Sequence, residues 1–263
     1  MLNELEMNGA EAVIQALVEN EVEVIFGYPG GAVLPLYDAL YKNKKIKHVL
    51  VRHEQAAVHA AEGYARSTGK VGCVLVTSGP GATNAITGLT DALMDSVPVV
   101  CLSGQVPTHL IGTDAFQEAD TTGISRPCTK HNYLVKNADL LCSIVHEAFE
   151  IAGSGRPGPV LIDLPKDIQL TNVIYQKKII RSKKNKDKDN VYIDLDIIKN
   201  VANVLVNAKK PIIYGGGGVI NAGPEASILL TKLVKLINAP VTLTLMGLGS
   251  VSNENKNFLG MLG

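Results

Sequence analysis

The chain of 263 residues carries 25 acidic and 25 basic residues, and this balance gives no reason to expect a nucleic acid or a membrane as its partner. Aromatic residues make up 5% of the sequence, which argues against stacking surfaces for single-stranded nucleic acid. The first residues lack the pattern of a secretory signal, no apolar run reaches membrane-spanning length, and the four cysteines show no C-x-x-C spacing, so we expect a reduced, cytoplasmic protein.

The first part of the chain alternates short apolar strands with helical patterns. Asn8 and Glu11 have the spacing of a capping box at the start of an amphipathic helix. Strands that are apolar throughout and separated by helices indicate a parallel sheet with helices on both faces. The strands are predicted at 22–26, 49–51, 71–77 and 97–103, and the helices between them at 32–40, 55–67 and 82–95.

The loops that follow these strands carry the candidate functional residues. Right-handed crossovers bring the carboxyl ends of parallel strands to one edge of the sheet, where most ligands of open α/β sheets bind. We therefore expect the glycine loop 27–31, Glu54, the loop 78–84 and the region of Gln105 to be neighbours there.

Glu54 is the strongest candidate for chemistry among these residues. It stands where a strand ends and an alanine-rich helix begins, and its apolar neighbours predict partial burial. A partly desolvated carboxyl group can hold a proton near neutral pH and transfer it. The alternative is a first-turn carboxylate that only benefits from the helix dipole.

The middle of the chain is less regular. Residues 108–131 show little periodicity, and a loop of this length inside a compact domain is usually functional. A helix is predicted at 138–154 and a strand at 160–164. Seven Lys or Arg residues between 177 and 188 indicate a solvated linker rather than a nucleic-acid patch.

A second domain is predicted to begin after this basic run. The pattern indicates a helix around 198–205, a strand at 211–214, a turn of four glycines at 215–218, a helix at 224–237 and a strand at 241–245. Two strands and two helices do not close a core, so we expect the chain to be a truncated piece of a longer protein.

Several familiar motifs are excluded. His53 and His59 are six residues apart rather than the four of H-E-x-x-H, so no zinc site is expected. The sequence at 78–81 fits neither a P-loop nor a G-x-S-x-G elbow. The glycine turn at 215–218 would suit a pyrophosphate, but the strand at 241–245 ends without an acidic residue, which argues against NAD and leaves room for FAD.

Five segments occur together in a familiar order: GYPGGA at 27–32, RHEQAA at 52–57, SGPGATN at 78–84, GTDAFQE at 112–118 and RPGP at 156–159. The chain resembles over nearly its whole length the large catalytic subunits of acetolactate (acetohydroxyacid) synthases, which are thiamine-diphosphate enzymes of branched-chain amino-acid synthesis. The resemblance implies a pyrimidine-binding domain at 1–171, a basic linker at 172–190, and at 191–263 the first part of a Rossmann-like central domain that carries FAD.

The resemblance also implies a mechanism and its residues. Glu54 would hydrogen-bond N1′ of the cofactor's aminopyrimidine, so that N4′ can take the thiazolium C2 proton. The resulting carbanion would attack pyruvate and carbon dioxide would leave. The enamine would then add to a second 2-keto acid, pyruvate or 2-ketobutyrate. The implied site comprises Glu54, Gln117 and Gly31 as catalytic residues, Tyr28, Glu54, Pro80, Asn84 and Gln117 around thiamine diphosphate, Ala115, Phe116 and Lys166 toward the substrate channel, and Arg156, Gly215, Gly216, Gly217, Leu245 and Met246 at FAD.

The resemblance finally implies partners that this chain does not supply. No metal ligand is expected here, because the family's Mg²⁺ and diphosphate are held by a further domain with a Gly-Asp-Gly motif. A homodimer or homotetramer with its active site between subunits is expected, with or without a small regulatory subunit. The 263-residue chain alone is predicted to be inactive.

Two kinds of alternative stay open. The first is another thiamine-diphosphate enzyme, such as pyruvate oxidase or a 2-keto-acid decarboxylase; glyoxylate carboligase is disfavoured because it should carry an apolar residue at the position of Glu54. The second is a non-catalytic nucleotide-binding domain.

Overall fold

The computed structural model describes residues 5–175 and 194–262, and the chain divides into two compact units, Met1–Ile179 and Ile180–Gly263. Within the described ranges, no helix combines the length and the apolar character that crossing a membrane would require.

The first unit is built from strands and helices that alternate along the chain. They are, in chain order, β1 (Leu5–Asn8), α1 (Gly9–Glu19), β2 (Val24–Gly27), α2 (Leu34–Lys42), β3 (Lys47–Leu50), α3 (Glu54–Thr68), β4 (Gly72–Val76), α4 (Pro80–Met94), β5 (Val99–Gln105), α5 (Thr121–Ser125), β6 (His131–Leu134), α6 (Leu141–Gly153), β7 (Pro159–Pro165), α7 (Lys166–Leu170) and β8 (Asn172–Tyr175).

Six of these strands form one parallel sheet in the order β3-β2-β4-β5-β7-β6. Every residue of β4, β5 and β7 is buried, as expected for strands that are covered on both faces. Core residues of α1, α2 and α6 form one apolar cluster with the sheet, and those of α3 and α4 form another. The predicted parallel sheet with helices on both faces is therefore confirmed.

The capping box predicted at the start of α1 is also present. The backbone N–H of Glu11 donates to Asn8 Oδ1 at 2.9 Å, and the backbone N–H of Asn8 donates to Glu11 Oε2 at 3.2 Å. These reciprocal bonds satisfy two backbone donors that the first turn of a helix otherwise leaves unpaired.

Three strands of the first unit differ from the sequence prediction. The short strand β1, before the first predicted helix, was not predicted. The edge strand β6 was not predicted, because its sequence His-Asn-Tyr-Leu lacks an apolar run and most of it is only half-buried. Residues 172–175, which were assigned to the start of the linker, form β8, which pairs antiparallel with β1 and buries Val173 and Tyr175. The predicted start of the linker at 172 is therefore too early, and the rest of its basic run lies outside the described residues.

The second unit is smaller. Its elements are α8 (Leu195–Asn207), β9 (Ile213–Gly215), α9 (Gly217–Asn221), α10 (Pro224–Ile237), β10 (Val241–Leu243) and β11 (Phe258–Met261). The strands form a parallel sheet in the order β11-β10-β9 around a core of Val234, Val241, Leu243 and Val251. The helix predicted at 224–237 is confirmed, whereas α9 and β11 were not predicted and the strand predicted at 241–245 ends at Leu243.

Candidate functional site

Glu54 lies at the carboxyl edge of the six-stranded sheet, at the start of α3. Its side chain is only 8% exposed, which confirms the predicted burial. Asn84, in the second turn of α4, donates from Nδ2 to Glu54 Oε2 at 2.9 Å. Two helices that follow different strands, β3 and β4, thus meet at one carboxyl–amide pair. The expectation that Glu54 and the loop 78–84 are neighbours is borne out by this contact.

A glycine in α4 makes this contact possible. A β-carbon at position 88 would lie 2.5 Å from the Cβ atom of Val58, so α3 and α4 can approach this closely only because residue 88 has no side chain. Val58 is one turn after Glu54 in α3, and Gly88 is one turn after Asn84 in α4. The close packing of the second pair therefore holds the first pair within hydrogen-bond distance.

The two glycine loops meet at Thr77, the buried residue directly after β4. A β-carbon at Gly30 would lie 2.5 Å from Thr77 Cβ, and one at Gly81 would lie 2.7 Å from Thr77 Cγ2. The backbone N–H of Ala32 also donates to Thr77 Oγ1 at 3.3 Å. Sequence reasoning did not single out Thr77, since it looked like the last residue of a strand.

The loop with Ala115, Phe116 and Gln117 packs against the second glycine loop. Gln117 has a positive φ of 56°, and its carbonyl oxygen lies where it would be 2.5 Å from a β-carbon at Gly79, which has φ 55°. The side chains of Phe116 and Gln117 are exposed, the former by 88%. This contact brings the predicted substrate-channel residues to the same edge as Glu54.

Glu118 closes this loop on itself. Its carboxylate accepts hydrogen bonds from the backbone N–H groups of Gly112 and Ala115, the latter at 2.9 Å. These backbone donors, Gly112 first, hold the pKa of Glu118 below its usual range. The loop geometry is thus fixed locally by a residue that the sequence analysis had not assigned a role.

The other residues predicted at this edge also lie at strand ends. Tyr28 follows β2 and is partly exposed, Pro80 is the exposed first residue of α4, and Lys166 follows β7 as the first residue of α7. A β-carbon at Gly31 would have no neighbour within 4 Å, so this glycine borders open space.

Arg156, which was predicted at FAD, lies away from this edge. It precedes β7 and donates from Nη2 to the carbonyl oxygens of Leu93 and Met94 at 3.1 and 3.0 Å, and from Nε to Ser96 Oγ at 2.7 Å. Its guanidinium group therefore caps the carboxyl end of α4, the end opposite to Asn84.

The other residues predicted at FAD come together within the second unit. The backbone N–H of Thr244 donates to the carbonyl oxygen of Gly215 at 2.9 Å, and a β-carbon at Gly217 would lie 3.0 Å from Met246 Cβ. Gly216 lies between these contacts, and Leu245 beside Met246 is 68% exposed. The structure thus joins the glycine turn to the segment with Leu245 and Met246.

One group of side chains in the described residues has the ligand types of a metal site, although none was expected. His59 Nδ1 lies 3.1 Å from Glu62 Oε1 and 3.6 Å from Asp91 Oδ2, on the packed pair α3 and α4. Burial first, and the nearby Asp91 second, raise the pKa of Glu62 to about 7. His59 and Glu62 lie one to two turns along α3 from Glu54, and among the described residues no hydrogen bond connects the cluster to it.

Comparison with known proteins gives two family matches. Residues 7–124 match the family described as thiamine pyrophosphate enzyme, N-terminal TPP binding domain. Residues 198–263 match the family described as thiamine pyrophosphate enzyme, central domain.

Curated relatives agree with these matches. The chain is 54% identical over 258 residues to an acetolactate synthase large subunit of Haemophilus influenzae, and 52% identical over 262 residues both to the isozyme 3 large subunit of Escherichia coli and to a probable acetolactate synthase large subunit of Methanococcus aeolicus. Each alignment covers 98% of this chain but 45%, 45% and 43% of the relative, respectively, so the chain spans less than half the length of these relatives. The chain therefore carries the N-terminal TPP binding domain and central-domain sequence of thiamine pyrophosphate enzymes, and it is similar to the N-terminal portion of acetolactate synthase large subunits.

Proposed function

We propose that the protein containing this chain is an acetolactate synthase. It would decarboxylate pyruvate and join the remaining two carbons to a second 2-keto acid, pyruvate or 2-ketobutyrate, in the synthesis of valine, leucine and isoleucine. The observation that best supports this proposal is the buried carboxyl group of Glu54, which Asn84 holds at the edge of the sheet where two glycine loops meet.

The residues around Glu54 suit the aminopyrimidine of thiamine diphosphate. Among the described residues, Asn84 occupies Glu54 Oε2, whereas Oε1 has no hydrogen-bond partner and faces Gly81, whose β-carbon would lie 3.5 Å away. A free carboxyl oxygen beside the bare backbone of Gly81 fits a flat ring with a basic nitrogen.

Each residue then has a defined task. When bound, thiamine diphosphate supplies a thiazolium carbon that can act as a nucleophile toward a 2-keto acid. Glu54 would share a proton with the ring nitrogen N1′, and its burial would keep bulk water from competing for that proton. Asn84 orients the carboxyl group by binding Oε2, and the backbone around Pro80 and Gly81 would hold the ring.

The remaining residues of the edge extend the site. Gln117 would contribute an amide and Tyr28 an exposed ring beside the cofactor, and Gly31 would leave room for the reacting groups. The exposed ring of Phe116, with Ala115 and Lys166, would lie toward the incoming 2-keto acid. The ring would shield the bound substrate from water, and the ammonium group of Lys166 would attract the carboxylate.

The proposal extends to FAD, Mg²⁺ and further subunits. For FAD we assign Gly215, Gly216, Gly217, Leu245 and Met246 of the second unit, where the packed turn exposes backbone and one apolar side chain. Mg²⁺ and the diphosphate would be held by residues outside this chain. A cytoplasmic homodimer or homotetramer with a shared active site, with or without a small regulatory subunit, completes the proposal. The pyrimidine-binding domain then includes β8, and the central domain follows the basic linker.

The test is hydrogen–deuterium exchange at C2 of thiamine diphosphate, together with acetolactate production, in the full-length protein. We expect Glu54→Gln to slow C2 exchange by about 10²-fold or more, because the amide cannot supply the proton to N1′. Glu62→Gln is the matched control, a buried glutamate of the same helix, and should keep the exchange rate within a few-fold. C2 exchange at the wild-type rate in Glu54→Gln would refute the role of Glu54.

The same assay separates the alternatives. A pyruvate oxidase would reduce its flavin when pyruvate is added without producing acetolactate. A non-catalytic nucleotide-binding domain would bind thiamine diphosphate without C2 exchange in the wild-type protein. The free Oε1 of Glu54 favours a catalytic function over a non-catalytic nucleotide-binding domain.

A further inference from the structure

The loop between β5 and α5, residues 106–120, carries Ala115, Phe116 and Gln117 and is anchored near both ends. At its start, Thr108 donates from its backbone N–H to Asp167 Oδ1 at 3.0 Å and from its hydroxyl group to Asp167 Oδ2. At its end, Gln105 Nε2 donates to the carbonyl oxygen of Ala119 at 2.9 Å. We call residues 106–120 the β5–α5 loop.

The second anchor continues to a buried aspartate. Gln105 Nε2 also donates to Asp163 Oδ2 at 2.9 Å, and Ser103 Oγ donates to Asp163 Oδ1 at 2.6 Å. Asp163 is 1% exposed, so both of its oxygens are satisfied inside the protein. A buried carboxylate with two fixed donors is a rigid point of attachment, because loss of either bond would leave a buried polar group unpaired.

The amide of Gln105 can adopt only one orientation in this network. Its Oε1 accepts from the backbone N–H of Val106 at 2.8 Å, while its Nε2 serves Asp163 and Ala119. A flipped amide would set its NH₂ group against an N–H and its oxygen against two acceptors. Asp163 therefore fixes the direction in which Gln105 holds the end of the β5–α5 loop.

Between its anchors the loop is stiffened by Glu118, whose carboxylate binds the backbone of Gly112 and Ala115. The two anchoring aspartates both come from one continuous segment, β7 followed by α7. A stiff loop attached at two points moves as a unit, so its anchors decide where Phe116 and Gln117 stand against Gly79.

We propose that Asp163 and Asp167 are positioning residues that act through Gln105 and Thr108 to set the β5–α5 loop at the cofactor edge. The identity of the ligand at that edge rests on the proposed function, whereas the anchoring of the loop does not. Neither aspartate touches the reacting groups; each determines how well Phe116 and Gln117 reach them.

The first experiment measures amide hydrogen exchange of residues 109–119 in the full-length protein. Asp163→Leu and Asp167→Ala remove an anchor and should speed exchange in the loop at least tenfold, while amides of β4 stay protected. Asp163→Asn should keep wild-type exchange, since its amide oxygen can accept from Gln105 and its NH₂ group can donate to the Ser103 hydroxyl. Ser103→Ala is the matched control: it removes one donor to Asp163 but leaves the bonds of Gln105 to Asp163 and Ala119 intact, so it should loosen the loop far less than Asp163→Leu.

The second experiment measures steady-state kinetics with pyruvate on the same variants. Asp163→Leu and Asp167→Ala should lower kcat/KM at least tenfold, mainly through a higher KM, and Asp163→Asn should restore it to within about threefold of wild type, a factor that corresponds to less than ~1 kcal/mol.

Each outcome decides the proposal. Unchanged loop exchange in Asp167→Ala overturns it, and that partly exposed position serves this purpose even if Asp163→Leu does not fold. A loosened loop with unchanged kinetics overturns the positioning role. A wild-type protein without acetolactate activity refutes the proposed function, and the exchange data then still decide the anchoring.

Discussion

The two units of this chain use the same local pattern, a strand followed by a glycine turn and a helix. They differ in how far the residues of these strands and helices are buried. In the first unit, β4, β5 and β7 are buried along their whole length between two apolar clusters. In the second unit, β10 is buried throughout, whereas β9 is partly exposed and α8 has no buried residue. The pattern alone therefore does not determine how much core forms around it.

The glycine turns of the two units differ in the same way. Gly30 and Gly81 close on Thr77 and leave the buried carboxyl group of Glu54 beside them. Gly215 and Gly247 close on each other, and the residues around them, 215–217 and 244–247, contain no ionisable side chain. A glycine turn supplies backbone approach, and acid–base chemistry needs a desolvated acid as well. Only the first unit combines the two in the described residues.

The largest effect is expected from removing a buried leucine of the smaller core. Leu243 is fully buried in a cluster of four residues, and Leu243→Ala should lose about 3–5 kcal/mol, enough to expose β10 to rapid hydrogen exchange. Leu102→Ala, at an equally buried position of β5, should leave the strands of the first unit protected because the core around it is larger. Equal protection of β10 in wild type and Leu243→Ala would contradict the comparison.

The next effect concerns the packing that holds Glu54 against Asn84. Gly88→Ala would drive a β-carbon into Val58 and should destabilise the first unit by about 1–3 kcal/mol, measured as a lower denaturant midpoint. Gly63→Ala in α3 is the control: its β-carbon meets nothing within 4 Å, and alanine favours helices, so it should stabilise by about 0.5–1 kcal/mol. Similar midpoints for the two variants would show that α3 and α4 are not packed this closely.

The contrast between these two glycines shows where sequence reasoning reaches its limit. Apolar runs that alternate with helical patterns predicted the parallel sheet, and crossover handedness predicted that Glu54 and the loop 78–84 are neighbours, because both rules depend on local sequence and general topology. Gly88 carries no such signal, since its importance depends on Val58, which is 30 positions away and reveals itself only in three dimensions.

The residues that sequence reasoning missed share this dependence on partners. Thr77 and Asp163 lie in or beside apolar strands and resemble ordinary strand residues until their contacts with Gly30 and Gln105 are known. β6 and β8 are short and partly polar, and they are strands because a neighbouring strand, β7 or β1, pairs with them. Pairing of this kind is a tertiary property, which the local pattern does not contain.

A pH-dependent effect is expected at Asp163. Burial raises its pKa to about 7, with a smaller contribution from Asp120, although hydrogen bonds from Ser103 and Gln105 act in the opposite direction. Because the folded state then binds this proton more tightly than the unfolded state, the stabilisation is complete below about pH 4 and is lost as pH rises through about 7.

Asparagine at this position does not titrate. Relative to wild type, the free energy of unfolding of Asp163→Asn should therefore rise by about 1–3 kcal/mol between pH 5 and pH 8. The measurement is urea unfolding of both proteins at each pH. Ser103→Ala keeps the carboxyl group and should show the same pH trend as wild type. A constant difference between wild type and Asp163→Asn at all pH values would mean that Asp163 is ionised throughout this range.

The smallest effect is expected on the apolar side of α8, and it tests the comparison of the two units most directly. Val204 is 70% exposed, so Val204→Ala should change stability by less than about 0.5 kcal/mol, with helix propensity slightly favouring alanine. Val234→Ala, in α10 of the same unit, removes a fully buried side chain and should be clearly more destabilising. The measurement is urea unfolding followed by hydrogen exchange in the second unit. If both substitutions destabilised the protein equally, α8 would have to pack its apolar face in solution. The contrast between a well-covered sheet in the first unit and a sparsely covered one in the second would then fail, because it depends on α8 contributing no buried residue.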